Sequence, residues 1–233
     1  MRNRLIAALL LTAGPVTVVL CALAGGRVYY LACLLLILYT TAAFVLRFEA
    51  RRPQPRELAL LAVLCALAVA SRVLFLAVPH FKPMAAIVML AGFAFGAETG
   101  FLVGAVSALA SNFVFGQGPW TPWQMFAFGV AGLLAGVCRR LPLLNRRLPR
   151  AVFGFAALVA VVGPLLDCFT LFTLGAEVTA GSAAAVFAAG LPVNAIHGGA
   201  VFVTLLLFGD SLLAQLDRLR RKYGLMEATR HGA

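Results

Sequence analysis

The chain has 233 residues, 63% hydrophobic and only 12% charged, with a mean hydropathy of +0.99. Such values exclude a soluble domain and describe a chain that crosses a bilayer repeatedly. The net charge of +11 does not point to nucleic acid, because the basic residues sit in short segments between apolar runs and form no aromatic-interleaved face.

A helical span needs about 20 apolar residues to cross roughly 30 Å of hydrocarbon. In chain order the candidates are 5–24, 28–46, 58–78, 84–96, 100–115, 122–137, 151–174 and 191–213. The expected fold class is therefore an all-α polytopic membrane protein of eight spans; the alternating strands of a barrel are absent. Residues 1–24 also carry a basic start and Ala22-Leu23-Ala24, as a cleavable signal peptide would. The long apolar run and the immediate second span favour a retained helix. The fourth candidate is short and follows Pro83, which suggests a tilted or protein-flanked segment.

Basic residues fix the expected orientation. Arg2 and Arg4 precede the first span, Arg47, Arg51, Arg52 and Arg56 follow the second, and Arg139, Arg140, Arg146, Arg147 and Arg150 follow the sixth. Arg218, Arg220, Arg221 and Lys222 follow the last. With eight spans all of these share one side, which is then cytoplasmic, with both termini inside. Only Arg27 and Lys82 are left for the outer loops.

Inside the apolar runs stand Arg72, Asn112, Gln124, Asp167, Asn194 and His197. Hydrocarbon penalises such residues unless partners or a ligand satisfy them. At 1.5 Å per residue, each falls within roughly 10 Å of the outer end of its span. Asn194 and His197 share a helical face. Gln124 follows Trp120 and Trp123, aromatic residues suited to stacking or to a membrane interface. The convergence suggests a pocket open to the outside. An Arg72–Asp167 ion pair is the leading structural explanation of those two residues, and Gly163-Pro164 just before Asp167 suggests a kink.

Small residues recur at four-residue spacing. Ala62, Ala66 and Ala70 stack methyl groups on one face of the third span, a surface another helix could approach closely. Gly92, Gly96, Gly100 and Gly104, with Gly132 and Gly136, read first as packing within the bundle. The five cysteines lack Cys-x-x-Cys spacing, so neither a zinc site nor a disulfide framework is expected. There is no phosphate loop, His-Glu-x-x-His or Gly-x-Ser-x-Gly. No catalytic residue, metal or cofactor is expected.

The motifs that carry a resemblance begin at Lys82-Pro83-Met84 and run through Met89-Leu90-Ala91-Gly92-Phe93-Ala94-Phe95-Gly96 and Gly100-Phe101-Leu102-Val103-Gly104. They continue with Gly116-Gln117-Gly118-Pro119-Trp120-Thr121-Pro122-Trp123-Gln124 and Leu191-Pro192-Val193-Asn194-Ala195-Ile196-His197. Over about three quarters of its length the chain resembles the substrate-binding S component of energy-coupling factor (ECF) vitamin transporters. The resemblance implies a six-helix S-component-like bundle over 58–217; the two additional transmembrane helices read in 1–51 depart from that pattern, and a basic cytoplasmic tail, 218–233, follows. It implies a high-affinity vitamin subunit without its own ATPase, in the cell membrane. The implied partners are the ECF transmembrane subunit (EcfT), two ATPase subunits and a small-molecule vitamin. The Trp-rich loop resembles a cobalamin-type subgroup, although riboflavin or thiamine would use the same chemistry. The candidate substrate-binding residues are Arg72, Lys82, Asn112, Gln117, Trp120, Trp123, Gln124, Asp167, Asn194 and His197, at the depth where the family would have its pocket; Ala62, Ala66 and Ala70 match the family's docking face. Two alternatives remain open: a stand-alone proton-coupled carrier, and an intramembrane enzyme using Asp167 and His197.

Overall fold

A computed structural model describes residues 28–50, 53–173 and 178–224. The first expected span, 5–24, and most of the basic tail lie outside the described residues. Every regular element among those described is helical.

Helix α1, Val28–Ala50, coincides with the second expected span and packs against the helices that follow it, chiefly those described below as α4, α5 and α7. Helix α2, Pro55–Leu74, starts with proline in its first turn, where the missing N–H costs nothing. The Gln54 N–H donates to Glu57 Oε2 at 3.3 Å, closing that end. The helix stops at Leu74, short of the expected Val78, so Arg72 lies in its last turn. The connection that follows is cross-braced by Lys82, whose ammonium donates to the carbonyls of Phe75, Leu76 (3.4 Å) and Val78 (3.0 Å).

Helix α3, Met84–Phe95, is about 18 Å long and cannot cross a bilayer alone. Ten of its twelve residues are buried, so its surroundings are protein rather than lipid. Gly96, at φ 101°, turns the chain directly into α4, Ala97–Phe115; only glycine takes that backbone without strain. Helix α5, Thr121–Cys138, returns. The glycine rows hold α3, α4 and α5 together: a Cβ on Gly132 would lie 2.1 Å from the carbonyl oxygen of Gly100. Backbones this close explain why α4 and α5 form the most extensive helix pairing among the described residues.

A 3₁₀ turn, Pro142–Asn145, leads to α6, Arg147–Ala157. The chain then widens into a π-helical turn, Leu158–Val162, before α7, Gly163–Thr173. The Gly163 N–H reaches back five residues to the Leu158 carbonyl. Pro164 has no N–H and crowds the preceding turn, and the wide turn absorbs that distortion. The kink expected at Gly163-Pro164 takes this form.

The last helix, α8, differs most from expectation. It spans Ala180–Tyr223, 44 residues or roughly 66 Å, and begins well before residue 191. Thr179 caps it: its hydroxyl accepts from the Ser182 N–H at 3.1 Å, and the Ser182 hydroxyl accepts from the Thr179 N–H at 2.9 Å. A run rich in alanine follows and carries the helix through Pro192, a residue that in sequence reads as a start. No break falls at residue 217; Arg218–Lys222 continue the helix.

Among the described residues, five helical stretches are long and apolar enough to span: Pro55–Leu74, Ala97–Phe115, Thr121–Cys138, Arg147–Thr173 and Ala180–Tyr223. The basic residues gather at one end of the bundle. Arg139 lies against Gly96 at the α3–α4 turn. Asp210 on α8 accepts from both Arg147 and buried Arg150 on α6. The opposite end, about 27 Å along α5, carries Trp120, Trp123 and Gln124.

Candidate ligand-binding cleft

At that end, the first turn of α5 meets the middle of α7 and the central part of α8 around a cleft of about 450 Å³. Each helix contributes one face. Trp120, Trp123 and Gln124 come from α5, Leu166, Asp167, Phe169 and Thr170 from α7, and Val193, Asn194 and His197 from α8. Their spacings, three or four apart with near neighbours, are those of helical faces turned to a common point.

One wall is aromatic. The Trp123 ring, 3% exposed, sits edge-on to Phe169 at 5.9 Å and tilted against Phe172 at 6.1 Å. Trp120 makes a T-shaped contact with the same Phe169 at 6.5 Å and is 39% exposed, so it forms the rim. The opposite wall is polar. The Asn194 amide donates to Asp167 Oδ2 at 2.8 Å, and His197 Nδ1 donates to the Val193 carbonyl at 3.2 Å. That leaves Asp167 Oδ1 and His197 Nε2 for a ligand. His80, held at φ 58° in the 75–83 connection, meets the His197 ring edge at 6.1 Å between centroids.

Lys82 is not in this cleft. It lines a much smaller cavity behind it, together with Ala85, Phe128, Leu158, Gly163, Leu166, Asn194 and His197. Burial, with the nearby charge of Arg72, lowers the Lys82 ammonium below its usual range. Arg72, Asn112 and Gln117 are also set back. Arg72 Nη1 donates to Ser111 Oγ at 2.5 Å and Asn112 Oδ1 at 3.2 Å, and its guanidinium lies 4.3 Å from the Phe115 ring centroid. The expected Arg72–Asp167 ion pair does not form: Ser111 and Asn112 occupy the arginine, and Asn194 occupies the aspartate. Sequence reasoning missed Leu166, Phe169, Thr170 and Val193. Their one signal is position, since they share helical faces with Asp167 and with Asn194 and His197.

Ala62, Ala66 and Ala70 are all exposed on α2, interleaved with exposed Val63 and Leu67. Helix α1 packs chiefly against α4, α5 and α7, and the three alanines stay exposed among the described residues. Among the described residues, no three His, Cys, Asp or Glu side chains converge as metal ligands.

An all-helical, polytopic bundle with an aromatic and polar cleft at one end is the architecture of a membrane protein that handles a small molecule. Residues 54–214 match the family described as ECF-type riboflavin transporter, S component, and the chain belongs to that family. It is a family of transporter subunits rather than of enzymes. No curated protein and no solved structure gives a significant match.

Proposed function

We propose that the chain is the high-affinity vitamin-capturing subunit of an ATP-driven ECF importer, with its cleft open to the outside. The observation that carries this reading is the cleft itself. Its volume lies within the range of small-molecule sites, and a few fixed polar groups face an aromatic wall. Trp120, Trp123 and Phe169 stack against a planar ligand, while Gln124, Asp167, Asn194 and His197 engage its polar edge. Riboflavin, named in the family description, has the size and flatness for such a space. The family description supports riboflavin over the cobalamin-type ligand that the Trp-rich loop suggested.

Energy comes from partners: EcfT docks on the exposed alanine face of α2, and two ATPases act through it. Positive charge at the opposite end supports an orientation with both termini in the cytoplasm of a cell-membrane protein. The test is a titration of purified protein with riboflavin, followed by uptake in vesicles. Tight binding with uptake only when EcfT and both ATPases are present is expected. Uptake by this chain alone rejects the ATP-coupled version.

Asp167 and His197 share the cleft, and this observation favours a second reading, proton-coupled carriage without partners. Uptake that collapses when the proton gradient is dissipated, and is indifferent to ATP, selects it.

A further inference from the structure

The polar groups behind the cleft form a chain of hydrogen bonds in which every direction is fixed. A guanidinium only donates, so the Asn112 amide must turn its oxygen to Arg72. Asn112 is 1% exposed. With its oxygen held, its Nδ2 points away and donates to Gln124 Oε1 at 2.8 Å and Thr121 Oγ1 at 3.0 Å. Thr121 Oγ1 also accepts from the Gly118 N–H at 3.3 Å, so the threonine proton goes to Gln117 Oε1 at 2.8 Å. Gln117 then gives Nε2 to the Leu109 carbonyl at 3.1 Å. The chain begins at a group that can only donate and ends at one that can only accept. Turning over any amide within it would set donor against donor or acceptor against acceptor.

The consequence falls on Gln124, which lines the cleft. Its Oε1 is taken by Asn112, so the amide group left for a ligand is Nε2, a donor. From α7, Asp167 offers Oδ1, an acceptor. We propose that Arg72 and Asn112, which do not line the cleft, set its hydrogen-bonding polarity by holding Gln124 as a donor. The ligand edge must then present an acceptor to Gln124 and a donor to Asp167. With the exocyclic group on Gln124 and the ring nitrogen on Asp167, the favoured chemistry is a heterocycle with a carbonyl beside a ring N–H, a lactam or cyclic imide, over the counterpart with an amino group beside an unprotonated ring nitrogen. Arg72 and Asn112 are positioning residues. This inference rests on the vitamin-capture reading and refines it.

The test compares two probes of one outline on the purified full chain: lumazine, a pteridine dione, and the pteridine in which both carbonyls are replaced by amino groups. Riboflavin serves as reference. The unaltered protein should favour lumazine by about tenfold or more. Asn112→Asp puts carboxylate oxygens toward both Arg72 and Gln124, so Gln124 turns Oε1 to the cleft. The preference should shift toward the diamine by about tenfold, the same direction as Gln124→Glu, which alters the cleft atom directly. Arg72→Met should erase the preference, and Arg72→Lys, another pure donor, should keep it. A purely structural role would weaken both pteridines together and leave their ratio alone. Should Asn112→Asp not fold, the two Arg72 variants decide. An unchanged ratio with riboflavin still bound overturns the relay and leaves the vitamin reading standing. If the unaltered protein binds neither riboflavin nor either pteridine, that reading falls and this inference falls with it.

Discussion

Asn194 on α8 donates to the carboxylate of Asp167 on α7 at 2.8 Å, and each helix faces the other's polar side chain with a glycine. A Cβ on Gly190 would lie 2.3 Å from Asp167 Oδ2, and one on Gly163 would lie 2.4 Å from Asn194 Cγ. Gly190→Ala therefore separates two effects. Alanine favours the helix by about 1 kcal/mol, yet its methyl occupies the place of the carboxylate. The expected outcome is a protein that folds but binds riboflavin roughly tenfold more weakly, about 1.4 kcal/mol. Thermal unfolding beside a fluorescence titration checks it; unchanged affinity would show that the carboxylate sits elsewhere during binding.

Removing either partner of that pair should have unequal consequences. Asn194→Leu strips the carboxylate of its donor at a buried position, and the lost bond is worth about 1–3 kcal/mol of stability. Asp167→Asn keeps the shape and can still pair with Asn194, so stability should change little. Its ligand acceptor loses charge, and affinity should fall about tenfold to a hundredfold. Unfolding midpoints and riboflavin titrations of both variants distinguish the two roles. Equal losses in both assays would argue against the division.

How much of this was legible depends on the kind of residue. Asp167, Asn194, His197 and Gln124 are visible in the sequence because hydrocarbon makes polar side chains costly, and the structure brings those four to one cleft. Leu166 and Phe169 are invisible by that test, since an apolar side chain facing a cleft looks the same as one facing lipid. Partner identity was also out of reach: Arg72 and Asp167 lie at similar depth, yet only the packing of α2 on α4 decides that Arg72 meets Asn112. Pro192 misled for a local reason. Proline suits the first turn of a helix, and nothing at residue 192 itself records that the cap lies at Thr179.

The aromatic wall and the alanine face lie on different helices, so their variants should not resemble each other. Trp123→Ala removes the ring packed against Phe169 and Phe172. It should weaken riboflavin binding by about 2–4 kcal/mol while assembly with EcfT and the ATPases persists. Ala66→Leu adds side-chain bulk to an exposed stripe and should block assembly with binding intact. Co-purification of the complex and ligand titration read the two separately. Loss of both functions in either variant would refute the separation of cleft from docking face.

The glycine contact between α4 and α5 should govern stability with no regard to ligand. A Cβ at position 132 would fall 2.1 Å from the Gly100 carbonyl oxygen, and backbone cannot swing aside as a flexible side chain can. The two helices must therefore separate to admit even a methyl group, opening the core around Phe101 and Val103. Gly132→Ala should cost about 2–3 kcal/mol, within the range for overpacking, and Gly132→Val more. Gly199 is the matched control: it lies within α8, and a Cβ there meets nothing within 4 Å. Gly199→Ala should leave stability unchanged or raise it by up to about 1 kcal/mol through helix propensity alone. Thermal unfolding in detergent compares the two directly. A tolerant Gly132 beside a sensitive Gly199 would place the tight helix contact on the wrong pair.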